Sequence, residues 1–419
     1  MTDLKSRIAA ANQQTVDIIL RGQPVWVDVQ PAIDALPGMT PNMILHSSPR
    51  IEWDRMCGAH QNGIIGAALF EGLASDREDA IMRIQRGNIE YDTCHNHAAV
   101  GAGAGIVSAS TPVIVIDNRS FGNRAFCPVS ESGALQALKW GWYDEKVDSH
   151  LRWLSDVFSP VLQAGIRRMG GVDVKSIIAK AVQMGDECHN RSVAASHLFY
   201  KDLMPHLLRC DIEEKPLLQS VDFLSKSDHF FLHVTMASAK AILEPAKDIP
   251  HSCVVTAMAR NGIEFGIQVS GLGEEWFCAP ANPVDGLFFR AEWGPDDAAL
   301  DLGDSSITEV IGLGGMIQAT APTVQQYVNG SLADAFRNTA EAREICVGVN
   351  HDFQIPNLDF AGAPVGIDIR RVVQTGITPI LDTAITNKAG GLIGAGQARA
   401  PKACFEKALR AFLAKYAAG

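Results

Sequence analysis

Apolar positions recur at helical spacing over residues 4–20 and then alternate through Pro24-Val25-Trp26-Val27-Asp28-Val29. This predicts a helix followed by a strand at the start of the chain. A short helix through Ile33 and Leu36 should stop at Pro37-Gly38, and Met43-Ile44-Leu45-His46 should form a second strand. Alternating helices and strands are an α/β beginning. Residues 63–71 read as a small-residue helix able to approach a sheet or a ligand closely, and 76–86 as another helix. Pro112-Val113-Ile114-Val115-Ile116 reads as a buried strand ending at Asp117-Asn118. From about 131 to 209 the pattern is helical, with the charged stretch 211–216 marking an exit. Strand-like runs return at 253–259 and 263–269, and Asn261-Gly262 between them is a hairpin signal because both residues tolerate positive φ. A helix over 334–346 and an amphipathic helix over 401–416 complete the chain. The expected fold is mixed α/β, with α/β domains at 1–130 and 226–419 and a helical domain inserted at 131–225.

The length of 419 residues fits two or three domains. With 47% apolar and 20% charged residues the chain is globular, and 37 glycines imply many tight turns. A net charge of −11 without a Lys/Arg-rich run argues against nucleic-acid or anionic-membrane partners. The uncharged run 98–116 is broken by glycines, serines and Pro112, so no membrane helix is expected. Nine cysteines, an odd number with no Cys-x-x-Cys pair, point to a reducing cytoplasm and away from a disulfide framework.

Candidate chemistry concentrates in three places. Met184-Gly185-Asp186-Glu187-Cys188-His189-Asn190-Arg191 lies between two helical runs, with Gly185 placed to end the first and Asp186 to cap the second. Its polar side chains would face the positive end of a helix beside Arg191, which suits a carboxylate or phosphate. The alternative is a capped turn whose charges pair with each other. In Asp92-Thr93-Cys94-His95-Asn96-His97, a strand would turn His95 and His97 to one face, as two metal ligands require, whereas in an irregular segment the rings would bond nearby backbone. Gly101 to Gly105 offer free backbone amides to an anion, without the spacing of a nucleotide motif. His60 and Asn62 either contact a ligand or cap a helix. Arg260, at the hairpin tip, is either a solvated charge or an anion contact.

These motifs together resemble a known family. MCGAHQNG (56–63), CHNHAAVG (94–101), MGDECHNR (184–191), DHFFLHVTMASAK (228–240), VTAMARNGIEFGI (255–267), FCAPA (277–281), GDSSITEVIGLGG (303–315) and VGIDIRRVV (365–373) occur in one order across most of the chain. The chain is similar to the family associated with the large subunit of oxamate carbamoyltransferase. The resemblance implies an α/β protein with an inserted helical domain, working in ureide or purine-nitrogen breakdown as a homo-oligomer or with partner subunits. The reaction it implies joins oxalurate and phosphate to give oxamate and carbamoyl phosphate.

Carbamoyl transfer to or from a small anionic amide or ureide passes through a tetrahedral oxyanion, so it needs preorganised donors and a held phosphate. On this reading Arg191 and Arg260 clamp phosphate or carboxylate, and His189 or His95 serves the oxyanion or moves a proton. Glu187 orients a histidine, and Asn190 and Asn261 bind the amide. A rival reading is a metal-assisted amidohydrolase with His95, His97, Glu187 and His189 around a divalent ion such as zinc; no other cofactor is expected. A third uses Cys94 or Cys188 as nucleophile beside a histidine. A non-catalytic ligand-binding subunit, inert until a partner docks, is the reading outside enzymes.

Overall fold

The computed structural model describes residues 2–328 and 330–417. One helix organises them. Phe230–Leu243 buries every residue except Leu232, and its side chains are apolar nearly all round. A helix of that composition belongs inside a protein, because no face of it suits water. It packs against the strands Pro112–Asn118 and Arg124–Pro128. These belong to an antiparallel sheet of four strands, in the order Arg124–Pro128, Pro112–Asn118, Pro24–Pro31 and the two-residue Val172–Asp173. The expected N-terminal helix runs Thr2–Arg21. The expected strand Met43–His46 pairs in parallel with Glu90–Thr93.

Residues 131–225 are helical apart from Val172–Asp173, which joins the first sheet. Their apolar side chains, among them Phe158, Leu162, Ile178 and Phe199, share one continuous core with residues from Ile8 to Phe412. Beyond the buried helix, Val255–Asn261 and Glu264–Val269 form the anticipated hairpin, with Gly262 at φ +78°. Leu302–Gly303 and Phe277–Pro280 flank it. A further sheet places Leu392–Arg399 between Asp285–Phe288 and Ile380–Thr386. The helices Leu332–Ile345 and Lys402–Tyr416 fall where the periodicity puts them. The fold is mixed α/β. Among the described residues no helix is long and apolar enough to cross a membrane.

Of the two readings of residues 92–97, the structure has the irregular one. The strand Glu90–Thr93 stops before the histidines, and Cys94–His97 is a 3-10 turn closed by Ala98 at φ +54°. With about three residues per turn, positions two apart do not share a face. His95 and His97 therefore diverge.

Candidate functional site

The helix Val174–Gln183 is capped by Met184, and Gly185 takes φ +92°, so the chain reverses there. Asp186 then accepts the amide N–H of Ala195 in the helix Val193–Leu207. Between the two helices the backbone curls around Glu187, whose carboxyl group accepts N–H bonds from His189 and, at 2.6 Å, from Arg191. Cys188, at φ +64°, closes the curl through a bond from its N–H to the Arg191 carbonyl. This arrangement turns His189, Asn190 and Arg191 outward together. All three line a half-open cavity of about 250 Å³. Larger surface grooves lie elsewhere, one of them lined by Arg21, Arg119, Asp173 and Lys175, where Lys175 is paired with Asp352 at 2.6 Å.

The imidazole of His189 is 3% exposed and is held from behind. Its Nδ1 lies 2.7 Å from Oε1 of Glu309, supplied by the short helix Ile307–Val310. A carboxylate accepts, so Nδ1 donates and Nε2 is the ring nitrogen left for the cavity. Glu309 is fixed in turn by the N–H groups of Gly315 and Asp382 and by the Thr308 hydroxyl. Gly314 makes this contact sterically feasible: at φ +55°, an added Cβ would sit 2.1 Å from Oε1 of Glu309. The Gly314 amide also donates to the Glu187 carbonyl, tying the two loops together. Burial and the neighbouring Asp382 and Glu309 push Glu187 well above the usual carboxylate range. Burial and Glu309 push Asp382 up as well. Carboxyl groups buried so close together disfavour one another's ionisation.

The rest of the wall is mixed, with Lys139, His229, His233 and the carboxylate of Asp228 beside Trp140, Leu232, Phe289 and Leu392. The Lys139 ammonium donates to the Ser132 carbonyl and lies over the Trp140 ring. It makes no ion pair with a described carboxylate, and burial lowers its proton affinity. Arg191 bonds through Nε to the Gly185 carbonyl, and Nε lies 3.3 Å from Asp186, whose carboxyl burial pushes up to about 6. The terminal amines of Arg191 make no hydrogen bond to described residues. Asn190 is partly committed, since Nδ2 donates to the carbonyls of Thr383 and Gly396.

The other sequence candidates lie apart from this cavity. All the N–H groups of Arg260 that bond do so internally: it is fully buried and pairs bidentately with Asp301 while also donating to Gly303, Ser305 and Thr383. It is neither a solvated charge nor a free anion clamp, because its donors are already occupied. Asn261 closes the hairpin, donating to Pro49 and accepting from Ile263 and Glu264. His60 is buried with Nε2 against Ser47 Oγ, and Asn62 bridges Ala389 and Arg77. His97 bonds Pro37 and Asp92, and the Asp92 carboxylate raises its proton affinity. His95 lies edge-on to Trp276, between Lys240 and Asp304. Cys94 and Cys188 are buried thiols that burial pushes far up, the opposite of an activated nucleophile. Among the described residues, no three His, Cys, Asp or Glu side chains are arranged to hold a metal ion, so His95, His97, Glu187 and His189 do not converge as one ligand set.

The cavity residues that sequence reasoning passed over are Lys139, His229 and His233, with Glu309 behind them. Two carried a signal. Glu309 is the only charged residue between Asp304 and Asp334, and His233 interrupts an apolar helix. An isolated polar residue in an apolar run must find a buried partner. Lys139 carried none.

The comparisons with known proteins now bear on this geometry. Residues 89–305, which contain the His189 loop and the buried helix, match the family model described as oxamate carbamoyltransferase subunit AllG. The chain belongs to that family. It is 42% identical to the oxamate carbamoyltransferase subunit AllG of Escherichia coli K12, over 96% of this chain and 97% of that one. It is equally 42% identical to the uncharacterized protein YahG of the same organism, over 99% of this chain and 88% of that protein. A crystal structure of a conserved protein of unknown function from Enterococcus faecalis V583 superposes with a TM-score of 0.96 at 40% identity, covering 99% of each chain. The AllG-family fold is thus shared by relatives with and without a named activity.

Proposed function

We propose that this chain carries the site of a carbamoyl transfer, converting oxalurate and phosphate to oxamate and carbamoyl phosphate in company with partner subunits. The observation that carries the reading is the His189–Glu309 pair, which opens onto a small cavity with Lys139 and Arg191 on its wall. A cavity of about 250 Å³ suits a small substrate and little else. Lys139 and Arg191 match the two anionic reactants. The relative's designation as a subunit supports the partners.

In the reaction, a phosphate oxygen attacks the terminal carbamoyl carbon of oxalurate. His189 Nε2 takes the proton of the attacking phosphate hydroxyl, and Glu309 stabilises the imidazolium that forms. The tetrahedral oxyanion collects donors from the cations of the wall. The bond from the carbamoyl carbon to the inner nitrogen then breaks, and His189 returns the proton to that nitrogen. Oxamate and carbamoyl phosphate leave. Glu187 acts one step back, shaping the loop that presents His189 and Arg191.

The test runs the reverse direction, with carbamoyl phosphate and oxamate supplied to the chain alone and to the chain with its partner subunits, and phosphate release measured. Release that requires oxamate and is lost in His189→Asn supports the reading. No oxamate-dependent release in either setting, or full activity in His189→Asn, sinks it.

A further inference from the structure

His233 sits in the first turn of the buried helix, 3% exposed, and lines the cavity. Its Nδ1 lies 2.8 Å from the carbonyl oxygen of Pro128. A carbonyl only accepts, so this nitrogen carries the ring proton. The Cys127 sulfur lies 3.6 Å from the same nitrogen, and burial keeps that thiol protonated. In the neutral ring, Nε2 therefore holds a lone pair, and no described residue hydrogen-bonds to it. The neighbours favour the neutral form: burial, then the Lys139 charge, push the His233 proton affinity down to about 3.

The cavity is thus asymmetric. Lys139 and Arg191 offer only donors, whereas His233 Nε2 joins His189 Nε2 and the Asp228 carboxylate as an acceptor on the wall, and of these it is the one that the proposed proton transfer does not use. A substrate oxygen placed against that lone pair would meet repulsion, and an N–H would meet a partner. We propose that His233 Nε2 accepts a hydrogen bond from the NH2 of oxamate and so selects an amide over a carboxylate of the same shape. The inference rests on the cavity being the substrate site. Its consequence runs against simple electrostatics, because Lys139 and Arg191 alone would favour the more highly charged carboxylate.

Oxamate and oxalate make the test, since they differ in having NH2 or O⁻ at one position. Calorimetric titration of the full chain at pH 7.5 should show tighter binding of oxamate. In His233→Leu, checked for folding by circular dichroism, that preference should fall at least tenfold or reverse. A binding ratio within about threefold of wild type would overturn the inference. Nitrogen-15 NMR of the wild-type imidazoles gives a second readout that needs no variant. Nε2 of His233 should be unprotonated and should shift when oxamate is added; a protonated Nε2 overturns the inference. If neither anion binds, the substrate-site reading falls and takes this one with it. If oxamate binding depends on Arg191 while the ratio ignores His233, the site stands and the amide selection alone is refuted.

Discussion

Glu309→Gln separates catalysis from scaffolding at the centre of the site. Glutamine keeps the shape, so its Oε1 can still accept from His189, Gly315 and Asp382, with its amide turned to the Thr308 hydroxyl. What it loses is charge. An imidazolium and a carboxylate whose charge centres are about 4 Å apart attract by roughly 4 kcal/mol at an effective dielectric of about 20. Because glutamine retains a dipole, part of this survives, and kcat/KM should fall about 10²- to 10³-fold. Stability should move the other way. Glu187 and Asp382 are raised partly by the Glu309 charge. Carboxyl groups raised in the folded state bind protons there that the unfolded chain has released above about pH 4, so they cost stability as pH climbs toward their folded values. Neutralising Glu309 relieves that cost, and the variant's Tm should gain on wild type from pH 6 to pH 8.5. The assay is phosphate release from carbamoyl phosphate and oxamate with the partner subunits present, beside thermal melts across that pH range. A kcat/KM within about threefold of wild type would refute the catalytic role. A Tm loss equal at every pH would make Glu309 a scaffold residue.

Arg191→Ala should raise KM for the anionic substrates about 10- to 100-fold, the loss of one charge-assisted bond, with a smaller Tm loss than Arg260→Met, because Arg191 is about a third exposed although the buried Asp186 loses its partner; steady-state kinetics beside a melt decides it. Arg260→Met should instead destabilise the fold by about 3–5 kcal/mol in urea titration, because it strands the buried Asp301, and Asp301→Leu in the same chain should recover part of the loss. Gly314→Ala should depress kcat, because its Cβ collides with Glu309 and approaches His189 Cβ at 3.1 Å, whereas Gly376→Ala, with open space around it, should leave kcat unchanged. His46 is held neutral by burial, its folded value lowered to about 4. The unfolded chain therefore binds a proton first as pH falls below about 6.5, and stability is lost in that window. At pH 5 this one group costs about 2 kcal/mol, and His46→Gln should flatten the acid slope of urea stability between pH 7 and pH 5.

Local pattern carried much of the fold. The hairpin at Asn261-Gly262 and the helix end at Gly185 were legible, because each depends on neighbours a few residues away, whereas the second helix begins later than expected, with Ser192 at its N-cap and Asp186 reaching Ala195 from nine residues back. The same locality explains why the residues left His95 and His97 open between two readings. Four polar residues after a short strand fit a strand or a 3-10 turn equally, and the parallel partner Met43–His46 ends opposite Thr93, so the ladder stops there.

The site divides in the same way. His189, Asn190 and Arg191 reach the cavity as one loop, and nearness in the chain was enough to group them. Arg260 looked like an available cation because its partner Asp301 lies 41 residues away, across a turn that only tertiary packing brings back. Glu309 is 120 residues from His189, and Lys139 is 50 residues before it. By itself the sequence determined the hairpin, the terminal helices, the loop that presents the chemistry and the family likeness. Only the tertiary structure decided which charges are spent on each other and which remain for a ligand. The physical reason is that a buried charge must be matched by whatever packs against it, and that partner is chosen by the fold and not by the neighbouring residues.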